Sequence, residues 1–316
     1  MSNPTRRRAR RLAAVTLTAA LVTAGCAERA EDTPRNEPKA QEQQFPVTVT
    51  PPTGEPLTIE QRPERIVSLS ASNTETLFAV GAGDQVVAVD EQSNHPQDAP
   101  KTDLSGLTPN VEAIAGYDPD LVVISEDADD LVASLNQLQR QVLIVPAAAS
   151  LDDLYAGIEL IGEATGHADE AKDLADRTRA DLEKLAADTP KQNLTYYHEL
   201  DTTLYSATSK TFIGQVYDLF GLTNIADPAD KDRGGYPQLS NEYILKSDPD
   251  LIFLADTKCC GQNAETVAAR PGWRALKAVQ NGDVVPLDDD LASRWGPRVV
   301  DLARSIADAV SKASEG

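Results

Sequence analysis

Two stretches of this chain, 130 residues apart, follow the same local plan. Val111-Glu112-Ala113-Ile114 leads into Asp118-Pro119-Asp120 and the apolar run Leu121-Val122-Val123-Ile124. Asn241-Glu242-Tyr243-Ile244 leads into Asp248-Pro249-Asp250 and Leu251-Ile252-Phe253-Leu254. Each copy reads as a short helix, a turn in which proline blocks further helix, and a strand apolar on both faces. Such strands belong inside a parallel sheet covered by helices. A looser pairing sets Phe78-Ala79-Val80-Gly81 against Asp218-Leu219-Phe220-Gly221, each ending a helix before a strand. Units repeated in one order predict an α/β fold of two similar parallel-sheet lobes.

Residues 45–150 make the first lobe. Val47–Thr50 and Leu57–Ile59 alternate around Pro51-Pro52-Thr53-Gly54 as a hairpin. A strand at Arg65–Leu69, a helix over Asn73–Val80 stopped by Gly81, and a strand at Gln85–Val89 follow. Residues 151–188 are helical and residues 189–316 make the second lobe. Within the helical segment, Leu151–Thr165 is periodic, Gly166 interrupts it, and Ala168–Asp188 continues. Ala168, Ala171, Ala175, Thr178, Leu182 and Leu185 step by three and four and define one buried face. Twenty-one helical residues reach about 31 Å, enough to cross from lobe to lobe as one rigid strut.

The amino terminus marks the chain for export. Arg6, Arg7, Arg8, Arg10 and Arg11 precede an apolar run, Leu12–Val22, and then Thr23-Ala24-Gly25-Cys26. A basic start, a short apolar core and small residues before the cleavage point make residues 1–25 a signal peptide. The run is shorter than the roughly 20 residues a membrane span needs. Cys26 then becomes the lipidated first residue of the mature chain, anchored outside the cell membrane. Residues 26–44, rich in Glu, Gln, Pro, Arg and Lys, read as a disordered tether. Its reach is about 25 Å as a flexible coil. A net charge of −21 disfavours nucleic acid as a partner. With Cys26 acylated, the remaining cysteines are the adjacent Cys259 and Cys260. A vicinal disulfide suits an oxidising compartment. Two inert thiols, or an extracellular thiol-redox protein built on the pair, are the alternatives.

Nothing in the chain encodes catalysis: it has no phosphate-binding glycine loop, no nucleophile elbow and no metal-spaced histidines. The chain therefore reads as a binding protein and not an enzyme, without cofactor or resident metal. Ligand contacts are expected in the cleft between lobes. Arg233-Gly234-Gly235-Tyr236 offers a cation and an aromatic face where the backbone can approach closely. Arg294 and Trp295 precede Pro297 on a loop, with Arg298 beyond it. His95 follows a strand end, and Tyr197 lies on the first strand of the second lobe beside His198 and Glu199. Ser72 and Glu75 have the spacing of a capping box, and Glu242 sits in the first turn of a helix begun by Ser240.

From about Leu57 to Ala309 the sequence resembles the periplasmic binding proteins for iron chelates and cobalamin. The residues that carry the likeness are Arg65–Leu69 with Asn73-Thr74-Glu75, Glu112–Ile124 and Pro237–Glu242. Arg270-Pro271-Gly272-Trp273 and Arg294–Arg298 complete it. The resemblance implies two α/β lobes bridged by one long helix and a monomer that delivers ligand to an ABC permease and its ATPase. It also implies docking onto that permease through one glutamate per lobe, here Glu75 and Glu242. The implied ligand is a large metal chelate, a corrinoid before a ferric siderophore, with a haem receptor as the alternative of the same type.

Overall fold

The computed structural model describes residues 43–232 and 234–314. The signal segment, Cys26, nearly all of the tether and Arg233 lie outside the described residues. An antiparallel hairpin of β1 (Val47–Val49) and β2 (Leu57–Ile59) comes first. Its alternation buries Val49 and Ile59 and leaves the Thr48 and Thr58 hydroxyls hydrogen-bonded at 2.9 Å on the outer face.

Two parallel sheets follow. The first holds β3 (Ile66–Ser68), β4 (Val86–Val89), β5 (Leu121–Ile124) and β6 (Gln141–Ile144) in the order β4-β3-β5-β6. The second holds β7 (Thr195–Glu199), β8 (Thr223–Asn224), β9 (Leu251–Leu254) and β10 (Val284–Pro286) in the order β8-β7-β9-β10. The two orders superpose strand for strand. Helices α1 (Ala71–Ala79), α2 (Val111–Ala115) and α3 (Leu131–Gln137) belong to the first lobe. After α4 (Leu151–Thr165) and α5 (Ala168–Asp188), the second lobe adds α6 (Phe212–Asp218), α7 (Asn241–Ser247) and α8 (Thr257–Cys260). The short α9 (Ala264–Ala268), α10 (Lys277–Asn281) and α11 (Asp289–Ser293) precede the terminal α12 (Val299–Ala313).

The repeat holds at the level of single atoms. Asn110 caps α2 by accepting from Ala113 N at 2.9 Å, and Ser240 caps α7 by accepting from Tyr243 N at 3.1 Å. Asp118 and Asp248 end these units in left-handed conformation, with φ of 50° and 45°, a region aspartate tolerates better than most residues. Both prolines that follow are buried. The second aspartate of each Asp-Pro-Asp then ties its strand to the neighbouring one. Asp120 accepts from Glu64 N and Arg65 N at 2.8 and 3.0 Å, and Asp250 accepts from Thr195 N at 2.8 Å. The four residues of β5 and the four of β9 are all buried, as helix-covered central strands require.

Each sheet has its own outer core, one around Leu69, Val122 and Ile124, the other around Tyr197, Ile252 and Trp273. A third cluster runs continuously from Val49, Leu121 and Leu143 through α4 and α5 to Tyr196, Phe253 and α12. The long α5 buries Ala171, Ala175, Thr178 and Leu182, the face its spacing predicts. It packs against α4, which lies on β1 and α1, and against α12, which lies on α6 and α11. Gly162 makes the α4–α5 approach possible, because a Cβ there would sit 2.1 Å from that of Ala171. One expected boundary shifts: α1 begins at Ala71 with Ser70 at its N-cap, so Ser72 and Glu75 form no capping box.

Candidate functional site

At the junction of the lobes is a cavity of about 330 Å³. Its first-lobe wall is Ala147-Ala148-Ala149, directly after β6, where small side chains leave the space open. Its second-lobe wall is Lys210, Thr211 and Phe212 at the start of α6, with Gly234, Gly235 and Tyr236 opposite and Trp295 completing it. Gly235 holds φ +84° with Thr211 Cγ2 3.0 Å from where a Cβ would be, so this turn needs glycine. The Phe212 and Trp295 rings lie 6.0 Å apart at 54°, an aromatic corner. The Trp295 indole N–H is buried and makes no hydrogen bond among the described residues. The cavity widens on two sides. A recess of about 720 Å³ lies past Tyr236 along Tyr205, Pro237 and Tyr243. Another of about 620 Å³ shares Ala147 and Ala149 and runs along α4 beneath the hairpin.

Beside Trp295, the two lobes are joined by a charged network. Trp295 N donates to Ser72 Oγ at 3.2 Å, which seats the loop before α12 on the start of α1. Arg294 Nη1 donates to Glu75 Oε1 at 3.1 Å and Asn94 Oδ1 at 2.7 Å. Its Nη2 donates to the Gln92 carbonyl and to Asp290 Oδ1, both at 2.8 Å. Arg298 Nη1 reaches the same Glu75 oxygen at 3.1 Å. Asn94 Nδ2 closes the circuit on Asp290 Oδ2 at 3.3 Å, and Lys258 Nζ holds Asp288 and Asp290 at 2.7 and 2.8 Å. The Glu75 side chain is 2% exposed and that of Arg294 is 9%.

These positions revise several expectations. Glu75 is not a surface docking residue: its carboxylate is enclosed between two arginines of the other lobe. Glu242 is exposed, and so is Glu112, its counterpart in the internal repeat. The repeat was the signal that pairs Glu112 with Glu242. Arg294 and Arg298 lie at the lobe junction, where Arg294 is committed to four protein acceptors and Arg298, among the described residues, to the Glu75 carboxylate alone. Tyr236 and Trp295 line the cavity, whereas His95 is exposed on the loop after β4 and is not part of the wall. Arg233 lies outside the described residues. Tyr197 is fully buried against Trp273, with ring centroids 6.2 Å apart, and belongs to the core. Alternation did send Tyr197 and Glu199 to one face and His198 to the other, but helices cover both faces. His198 is held neutral, its pKa pushed down to about 4 by complete burial, beside the Tyr217 hydroxyl at 2.9 Å.

The sequence reading missed a second buried cluster, which lies under α8 at the carboxyl ends of β7 and β9. Arg270 grips Glu199 with two hydrogen bonds of 2.6 Å and lies over the Trp273 ring at 4.6 Å. Asp256, also fully buried, has its carboxyl pushed up to about 7 by desolvation, reinforced by the nearby Glu199 charge. Above it, Cys259 and Cys260 are joined as an exposed vicinal disulfide, with Cα atoms 3.8 Å apart. Asp289 caps this turn by accepting from Thr257 N, Lys258 N and Cys259 N at 2.8–2.9 Å.

The chain matches a family model described as periplasmic binding protein over residues 66–291. It is 32% identical over 308 residues to an uncharacterised ABC transporter substrate-binding lipoprotein of Bacillus subtilis, covering 94% of this chain and 95% of that one. It is 30% identical over 276 residues to a cobalamin-binding protein of Halobacterium salinarum, covering 84% of this chain and 74% of the relative. Among solved structures it resembles a possible iron-binding periplasmic solute-binding protein from Staphylococcus epidermidis. That match has a TM-score of 0.69 and 28% identity, covering 79% of this chain and 99% of the other.

Proposed function

The chain belongs to the periplasmic binding protein family, and on that premise we propose that it captures a corrinoid in the cleft between its lobes for an ABC importer. The observation that carries this reading is the cleft itself. Its wall is mostly apolar and aromatic, built from Ala147–Ala149, Phe212, Tyr236 and Trp295 beside Lys210 and Thr211, and Arg294 at the junction is satisfied within the protein. A corrinoid is large, planar over its ring and fringed with neutral amides. It asks for aromatic faces and room on either side.

On the same reading, Cys26 carries the lipid anchor and residues 27–44 let the lobes stand off the membrane beside the permease. Docking falls to Glu112 and Glu242. They occupy the first turns of equivalent helices, one on each lobe, and both are exposed. The repeat gives a two-subunit permease two equivalent acidic contacts.

The test is a titration of the secreted chain, freed of its signal segment, with cyanocobalamin, haemin and a ferric siderophore, followed by tryptophan fluorescence. The chain has two tryptophans, one of which, Trp295, lines the cavity, so a bound ligand quenches its emission. Saturable quenching by cyanocobalamin is expected. Saturable binding of an iron chelate with none of cyanocobalamin overturns the corrinoid reading.

A further inference from the structure

We infer that Glu75 is a specificity-determining residue: by neutralising Arg294 and Arg298 it keeps the cleft selective for uncharged chelates over anionic ones. The inference rests on the ligand reading above and extends it to a residue outside the cavity wall. Two guanidinium groups from the second lobe converge on one oxygen of one carboxylate from the first, each at 3.1 Å. Four of the five N–H groups Arg294 can offer are engaged, by Glu75, Asn94, Gln92 and Asp290. An arginine so engaged cannot form the forked pair with a ligand carboxylate or catecholate that makes arginine an anion receptor.

The balance of charge points the same way. Lys258 is taken by Asp288 and Asp290, and Asp290 also answers Arg294, so acids match the cations throughout this network. Trp295, which lines the cavity, follows Arg294 directly in the chain and is seated on Ser72 at the start of the Glu75 helix, so the neutralised pair lies behind the cavity wall. With the Glu75 charge gone, Arg298 would lose its one acceptor among the described residues, and Arg294 would keep only Asp290 as an acid partner. That leaves net positive charge at a partly desolvated place, where a nearby anion is attracted more strongly than in water. The carboxylate thus acts through the arginines it holds.

The experiment compares wild type, Glu75→Gln and Glu75→Gln/Arg298→Gln in the full secreted chain. Its readout is the ratio of affinities for haemin, which carries two propionates, and for neutral cyanocobalamin. In Glu75→Gln the ratio rises in favour of haemin by about tenfold or more at low salt, and the gain shrinks as salt screens it. Restoring neutrality in the double variant brings the ratio back toward wild type. A merely structural Glu75 would lower both affinities together, and that result, or an unchanged ratio, overturns the inference. Should Glu75→Gln fail to fold, Asp290→Asn removes the other carboxylate on Arg294 and must shift the ratio the same way; a ratio unmoved in Asp290→Asn then refutes the idea. Failure of wild type to bind cyanocobalamin at all is a separate outcome, which removes the corrinoid reading itself.

Discussion

Replacing Asp256 by Asn should stabilise the protein, and by an amount that depends on pH in a defined direction. Asp256 is fully buried, and neither of its carboxyl oxygens finds a donor among the described residues. The nearest cation, Arg270, is spent on Glu199. Desolvation first, and then the Glu199 charge, raise the carboxyl from 3.8 to about 7. The folded state therefore binds a proton that the unfolded chain has lost between those two values, and in that window stability falls as pH rises. At about 1.4 kcal/mol per pKa unit, ionised Asp256 costs on the order of 4 kcal/mol above neutrality and nothing below about pH 4. An asparagine presents an N–H toward Glu199 at every pH but still has an amide to bury. About half the cost should be recovered, roughly 2 kcal/mol or 4–8 °C of melting temperature. Thermal melts of both proteins at pH 4, 6 and 8 test this. The gain should be near zero at pH 4 and full at pH 8. An equal gain at all three values, or a less stable variant at pH 8, refutes the reasoning.

Two further outcomes test the site assignment. Glu112→Ala combined with Glu242→Ala should cut ligand uptake in cells by about tenfold or more, while the purified protein keeps its affinity within about twofold, because surface charges of an interface act on association with the partner. Trp295→Ala should weaken ligand binding about tenfold or more through loss of a large aromatic contact, whereas Tyr197→Phe should leave it unmoved, since that ring lies in the second-lobe core.

What the sequence made legible is what local chemistry dictates. The Asp-Pro-Asp turns before apolar runs announced two equivalent parallel sheets. A left-handed aspartate, a buried proline and a strand-tying carboxylate are all short-range requirements. The buried stripe of α5 was equally plain from spacing. Other features depend on what arrives from far along the chain. Tyr197 looked like a half-exposed strand residue until Trp273, 76 positions later, was seen to cover it. Arg270 gave no hint that it would neutralise a fully buried Glu199, and Ala147–Ala149 gave none that small size would open a cavity. Likewise, periodicity shows that α5 has a buried face but not that α4 and α12 share it.

The two glutamates of Asn-Thr-Glu and Asn-Glu-Tyr show how local and global readings diverge. Spacing favoured Glu75 as a helix-cap partner, and the family resemblance implied a docking role for it. The helix instead starts at Ala71, which turns the side chain of Glu75 inward, where only paired charges can be buried at acceptable cost. Its partners, Arg294 and Arg298, lie about 220 residues away, beyond the reach of any motif. The internal repeat pairs different glutamates, because equivalence between lobes is a property of the fold and not of one helix turn. It sets Glu112 against Glu242 in exposed first turns and gives Glu75 only the uncharged Gln215 as its counterpart in the second copy. A carboxylate whose symmetry mate carries no charge, buried at the junction of two similar halves, breaks their equivalence at the place where the lobes meet.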